Sequence, residues 1–323
     1  MKKIFAILIL FTFAFRGVSQ DAHLSMYDVA PMFLNPAMTG LIDGKWRAHI
    51  HYRTQWKAVN FKPYQSFLAS FDAPIKKFGV GVQLNYFRAG AGNFGVLNAL
   101  VSGSYNIDLN KKKTHQLSFG IQAGITQKSV EYKLLSFNNQ YTLQDGGTFN
   151  TTIDPNENFA ARSIVLPALN VGAIYYFSKQ NARLNPFVGF SAFNLIAPKE
   201  TFFGQTNKLP RRYYWHIGTR INITETLYLI PKILGMHQEK YMELTGALEL
   251  GYFFKSSEIH LLAGFIYRST DAAVITLGAK YKNFILKMAY DINLSSLTKA
   301  SNGRGGFEIG LTYTHSQSKT KTE

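Results

Sequence analysis

Four residues near the N-terminal end have the most chemically capable spacing in the chain. Arg47, His49, His51 and Arg53 alternate, so in an extended strand all four side chains point the same way. His49-x-His51 could supply two imidazoles to a metal ion. A zinc site needs a third and usually a fourth donor, and the chain has no cysteine and no acidic cluster nearby, so the pattern predicts no metal. Two arginines set against hydrocarbon would be costly, which makes a hydrated interior wall the better setting for the quartet. Buried in a narrow interior, the arginines require compensating acids. Glu308 is placed to serve, and an Arg53–Glu308 interaction is expected, with a charge swap of both residues restoring what either single swap loses. Glu243, Glu249, Lys287, Asp291, Arg220 and Arg268 are expected on the same interior as a structural charge network.

Other chemistry falls away on inspection. Gly90-Ala91-Gly92-Asn93-Phe94-Gly95 spells G-x-G-x-x-G, but nucleotide binding needs a strand before it and a helix after it. Here another strand pattern follows, so the segment reads as a glycine-rich hairpin loop. No G-x-S-x-G element exists, and no Ser/His/acid set assembles from spacing. Neither an enzymatic activity nor a cofactor is expected.

The elements that must position these residues are strands. In 115–126, Leu117, Phe119, Ile121, Ala123 and Ile125 share one face, opposite Gln116, Ser118, Gly120, Gln122, Gly124 and Thr126. That period of two marks a ribbon wetted differently on its two sides. About fourteen such segments follow, near 45–55, 64–73, 78–88, 95–107, 115–126, 165–178, 185–196, 211–223, 226–234, 241–254, 258–268, 273–281, 283–292 and 304–314. Alternate connections are brief turns and longer loops, the longest being 127–164. Together these features predict an all-β, antiparallel outer-membrane β-barrel with both termini periplasmic. The last strand then closes the barrel against the first, which sets Glu308 near Arg53. A soluble sandwich would need polar residues where this chain carries a continuous Phe, Leu, Ile, Val and Tyr face.

The export signal agrees. Lys2 and Lys3, the apolar run Ile4–Phe15, and Gly17-Val18-Ser19 form a secretory leader, too short to span a bilayer as a helix. The expected organisation is therefore a leader at 1–19, a periplasmic lead-in at 20–44, the barrel at 45–315 and a polar tail at 316–323. The mean hydropathy of −0.07 fits strands that are apolar on one face only. Removing the leader deletes Lys2, Lys3 and Arg16 and no acid, lowering the formal charge from +16 to +13. The bases alternate within strands or sit in hairpins such as Lys111-Lys112-Lys113, with no basic helical stripe. Anionic lipid or a basic lumen accounts for them, and no nucleic-acid partner is expected. Segment 127–164, which loses the alternation, is a candidate lid, inserted plug or docking surface.

Several of these residues fall in motifs. Leu34-Asn35-Pro36-Ala37-Met38-Thr39-Gly40 resembles the N-P-A-x-x-G opening of the PorP/SprF family of type IX secretion proteins. Tyr52-Arg53-Thr54-Gln55-Trp56 is similar to its Y-R-x-Q-W element, and Ser70-Phe71-Asp72-Ala73-Pro74 to its S-x-D-x-P turn. Tyr267-Arg268, Tyr290-Asp291 and Gly306-Phe307-Glu308-Ile309 resemble its later motifs, with Ala289 in place of a usual Ser and Phe307 in place of a usual His. The resemblance implies an outer-membrane component of the type IX secretion and gliding machinery, partnered by secretion components or a secreted surface adhesin. Segments 127–164 and 20–44 are the expected contact elements. An alternative is a passive or ligand-selective channel whose basic lumen favours anions.

Overall fold

The structure, a computed structural model, describes residues 23–58, 62–143, 146–157, 161–179, 182–202, 204, 207–296 and 298–316. The predicted leader 1–19 and all but Ser316 of the predicted tail lie outside the described residues.

Alternation is what builds the wall. Strands β1 (Trp46–Gln55), β2 (Tyr64–Ile75), β3 (Phe78–Ala89), β4 (Phe94–Asp108) and β5 (His115–Ser129) run as hairpins. Within the next loop sits a small hairpin of β6 (Tyr141–Thr142) and β7 (Thr148–Phe149). The wall resumes with β8 (Ser163–Phe177), β9 (Leu184–Phe193), β10 (Arg212–Asn222), β11 (Leu227–Gln238) and β12 (Tyr241–Phe254). It ends with β13 (Ile259–Arg268), β14 (Ala272–Tyr281), β15 (Phe284–Asn293) and β16 (Arg304–His315). Omitting β6 and β7, fourteen antiparallel strands close into one barrel, with β16 paired to β1 from Trp46↔His315 to Gln55↔Gly306. Closure leaves no unpaired sheet edge, which a bilayer demands. No helix among the described residues is long and apolar enough to cross a membrane.

One face of every strand is lipid-type: Ile50, Phe67, Val82, Val101, Ile121, Phe265 and Leu277 stand exposed on the outside. Aromatic rings cluster toward the end carrying the short turns, where Trp46 packs on Phe71 and Tyr313, and Phe78 on Tyr105. Such girdles sit at a membrane interface. At the other end lie the long loops, including 130–162, which the β6–β7 hairpin partly orders. The G-x-G-x-x-G segment forms the β3–β4 turn there and enters β4 directly, so no helix N-terminus faces it.

The core lies inside the barrel, and the N-terminal segment supplies eight of the 23 buried apolar residues among those described. This corrects two expectations. The lead-in 20–44, over its described residues, does not wait outside the wall. His23 lies near the loop end beside Glu243, Pro31–Leu34 and Pro36–Met38 make short helical turns in mid-barrel, and Gly44 meets His315 at the turn end. The segment thus threads the lumen lengthwise, with His23 and His315 toward opposite ends of the barrel. The wall around the quartet is also closed to water: His49, His51 and Arg53 are at most 2% exposed. Plug side chains take the place of water: Met26 packs against Ile266, Val274 and Ala289 on one side, and Tyr27 and Leu34 against Phe193, Tyr214 and Leu234 on another. The physical reason is apolar content. Residues 24–34 carry Leu, Met, Tyr, Val, Pro, Met, Phe and Leu, surface that gains by leaving water.

Candidate functional site: the lumenal plug and its anchors

The candidate site is the plug, residues 23–40, with the wall groups that hold it. Near the loop end the anchor is electrostatic. The β1–β16 register sets Arg53 opposite Glu308, and alternation turns both inward. Arg53 bonds Glu308 directly and reaches Asp291 at 3.0 Å. Arg268 from β13 reaches the same Asp291 oxygen at 3.1 Å and Asp271 at 2.5 Å. The plug fits into the middle of this cluster. The Ser25 and Met26 amides donate to the two Glu308 oxygens at 2.6 and 2.9 Å, and the Ser25 hydroxyl donates to Asp291 at 2.8 Å. Both arginines donate to the Ser25 oxygen, at 2.7 and 2.9 Å. Charge-assisted bonds of this kind are the strong ones, and here water does not compete.

A second ionic group lies deeper. Lys232 and Lys287 both contact Asp28 of the plug, at 2.5 and 3.4 Å. Glu249 sits 2.5 Å from Lys287 and 3.7 Å from Lys232. Two acids facing two bases make a locally neutral buried set, the condition under which such charges are tolerable.

The other half of the plug is held by close approach. Asn35 caps the turn that follows it by accepting the Ala37 amide at 2.9 Å. Its side-chain amide donates to the Ala173 and Phe190 carbonyls at 3.0 and 3.2 Å and touches His216 at 3.2 Å. Ala173 and Phe190 are cross-strand partners in β8 and β9, so Asn35 clips onto the ladder itself. Glycine makes the room. A methyl group at Gly172 would overlap the Asn35 oxygen, and one at Gly120 would overlap the Pro36–Ala37 peptide. Wall hydroxyls meet the plug carbonyls: Ser191 donates to Leu34 at 2.8 Å, Ser118 to Ala37 at 2.8 Å and Ser104 to Thr39 at 2.6 Å. These satisfy acceptors that short helical turns leave open. Gly40 adopts φ +69°, which favours glycine, and its amide donates to Asp72 at 2.7 Å. Arg47 grips the same carboxylate with two bonds of 2.9 and 2.6 Å.

The structure therefore gathers most of the sequence-predicted residues around one segment. Arg53, Arg268, Asp291 and Glu308 form the loop-end anchor, Arg47 and Asp72 the turn-end anchor, and Asn35, Pro36 and Gly40 belong to the plug. Gln55 accepts from Arg53 at 2.7 Å. His51 contacts Glu308 at 3.2 Å, and His49 contacts the Thr312 hydroxyl at 2.8 Å. Among the described residues no group of three or more His, Cys, Asp or Glu is arranged to hold a metal. Tyr52 faces outward, and Trp56, at φ 60°, meets Tyr64 edge to face at the loop rim. Glu243 and Glu249 line the interior, while Arg220 lies exposed at the turn end over the Tyr228 ring. Of the two motif departures, Ala289 packs against the cluster containing Met26, and Phe307 faces out.

Sequence reasoning missed Ser25, Asp28, Lys232, His216, Gly120 and Gly172. One signal was available: an apolar run between the leader and the first strand has no reason to stay in water.

Comparison with known proteins follows this geometry. A family model described as "Type IX secretion system membrane protein PorP/SprF" matches residues 17–313. No curated protein matches the chain. Among solved structures it is similar to the Ralstonia pickettii toluene transporter TbuX, with 11% identity over 88% of this chain and 93% of that one and a TM-score of 0.51. The CymD monoaromatic hydrocarbon channel gives 10% identity over 92% and 95%, with a TM-score of 0.53. The P. putida toluene transporter TodX gives 10% over 88% and 93%, with a TM-score of 0.51. At these identities the likeness is one of fold.

Proposed function

The chain belongs to the type IX secretion system membrane protein PorP/SprF family, and we propose that it is a non-enzymatic outer-membrane platform that docks secretion machinery or an exported surface protein. The observation that carries this reading is the occupied lumen. A barrel whose lumen is threaded by its own buried, ion-paired segment presents partners with surfaces and obstructs the passage of a solute. The reading places the long loops outside the cell and the short turns in the periplasm, as in bacterial barrels generally. Contact then falls to the loops. Loop 130–162 exposes Leu134, Tyr141, Leu143 and Phe149 beyond the barrel wall, an apolar group of the kind that marks a protein contact. Most of residues 24–40 of the lead-in are buried inside the barrel, which removes them from the contact surface.

The rival is a channel. The solved structures of similar fold include hydrocarbon transporters and channels, but the fold alone transfers no substrate, and the plug argues against free passage. Deleting the gene separates the two readings. Loss of secreted cargo from the cell surface with unchanged solute uptake supports docking. Altered uptake with normal display overturns it. Affinity purification from detergent should recover type IX components or a large surface adhesin.

A further inference from the structure

In one stretch of wall, from β9 to β12, the hydrogen-bonded ladder is interrupted beside two prolines. The β10–β11 ladder keeps a constant register from Gly218↔Lys232 to Ile221↔Leu229, yet the two intervening pairs are missing. Pro231 lies in that gap and has no N–H to donate. Directly across β10, Thr219 is opposite Pro186 of β9, a second proline in an interior strand, where proline is uncommon. Gly246, on the next strand, would meet nothing within 4 Å if it carried a Cβ.

These features leave a groove of about 730 Å³ on the lipid-type face, its lining including Ile217, Pro231, Gly246, Leu248 and Phe265. Behind it, inside the barrel toward the turn end, is a cavity of about 610 Å³ between the plug and the wall. Leu34 and Met38 of the plug and Ile174 of the wall form the apolar side of that cavity, and Asp43, Lys76, Asn106 and Gln116 form a polar side. Groove and cavity share Phe187, Ile217, Lys232 and Ile233, so a single layer of backbone separates them. Alternation places Phe187 and Lys232 on the lumen face and Ile217 and Ile233 on the lipid face. The groove is therefore lined from both sides of the sheet. Tyr27, which also lines the cavity, has a buried hydroxyl with no hydrogen-bond partner among the described residues.

We propose that this wall is a portal through which the acyl chain of a bilayer lipid reaches the turn-end cavity. Hydrocarbon is the solvent on the outer side, and both spaces are far larger than the ~150 Å³ apolar cavity that suffices to hold a benzene ring. The missing ladder pairs and the absent side chain at Gly246 make the wall thinnest here, with the Phe187 ring lying over Gly218 as the cover on the lumen side. The ligand class is a membrane amphiphile, its tail against Leu34, Met38 and Ile174. This inference does not depend on the docking role.

The chain contains no cysteine, so single-cysteine variants of the full chain can be labelled cleanly. We would attach bimane at Ile174→Cys in the cavity, at Leu248→Cys in the groove, and at Val101→Cys on the lipid face far from both. Each is reconstituted in phosphatidylcholine vesicles with brominated or unbrominated acyl chains. The proposal expects quenching at Ile174→Cys comparable to that at Leu248→Cys and Val101→Cys, and its loss from Ile174→Cys alone when Gly246→Phe fills the groove. Quenching confined to the two outer sites overturns the proposal. So does quenching at Ile174→Cys that survives Gly246→Phe, since the lipid would then arrive by another route. Met38→Cys probes the same cavity should Ile174→Cys fail to fold.

Discussion

The two halves of the plug are fixed by different physics. Ser25–Asp28 is held by charge, in contact with Arg53, Arg268, Asp291 and Glu308 and then with Lys232 and Lys287. Pro31–Ala37 is held by shape and neutral hydrogen bonds, against glycine, serine and bare carbonyls. A buried charge is intolerant of losing its partner, whereas a close contact is intolerant of gaining an atom. Removing groups should therefore break the first half, and adding them should break the second.

The largest effect is expected at the charged half. Arg53→Glu leaves Glu308 and Asp291 facing a third acid, and breaking a buried pair costs roughly 3–5 kcal/mol. Urea unfolding followed by tyrosine and tryptophan fluorescence would register the loss, and a midpoint unchanged from wild type would contradict the anchor. The double swap Arg53→Glu/Glu308→Arg sharpens the point. Glu308 accepts the Ser25 and Met26 amides as well as Arg53, and an arginine there would face two N–H donors. Rescue should be partial, in place of the full restoration that the seam pairing alone predicts. Full rescue would mean the plug contributes nothing to this cluster.

Next comes the glycine half. Gly120→Ala overlaps the Pro36–Ala37 backbone, and overpacking of this sort costs about 1–3 kcal/mol. Cysteine pairs offer a direct readout of position: Ala37→Cys/Ser118→Cys should cross-link in the wild-type background and lose yield with Gly120→Ala. An unchanged yield would place the plug elsewhere. Asn35→Ala should cost less, about 0.5–2 kcal/mol from the lost cap, with a further contribution from the two wall bonds. Asn35→Asp, which keeps the cap acceptor and loses the donors, should divide the two contributions in the same unfolding assay.

The smallest effect belongs to a pair outside both halves. Lys255 and Glu225 meet at 2.7 Å in the exposed turns. The hydrogen bond and charge of Lys255 hold the Glu225 carboxyl below its usual range. Surface pairs of this type are commonly worth little and are screened by salt. Lys255→Ala should leave the unfolding midpoint where it was, and a clear shift would show that turn-end charges matter more than burial suggests.

The wall was legible in the sequence because hydrocarbon and interior impose period two on every strand. The expected segments 78–88, 115–126 and 241–254 overlap their strands to within a few residues. The Arg53–Glu308 contact followed from parity and direction, two quantities that alternation supplies. The plug was not legible, since its two short helical turns are too brief to leave a periodic trace. Its fit depends on glycines whose meaning appears only when another backbone lies against them. Gly120 on the polar face of β5 could be read as small, but not as the seat of Pro36–Ala37. Strand β11 also outran its predicted end, 234, reaching Gln238 with a tight turn at 239–240. Gly235, the first residue beyond that predicted end, gives the Trp215 ring room to lie against the strand.

The central claim is that the barrel is closed by its own N-terminal segment. Conductance of the purified protein in a planar bilayer tests it most directly. The wild type should show essentially no steady current, and Arg53→Glu or deletion of residues 23–34 should open ion flow. A large, stable conductance from the wild type, unchanged in both variants, would contradict the account.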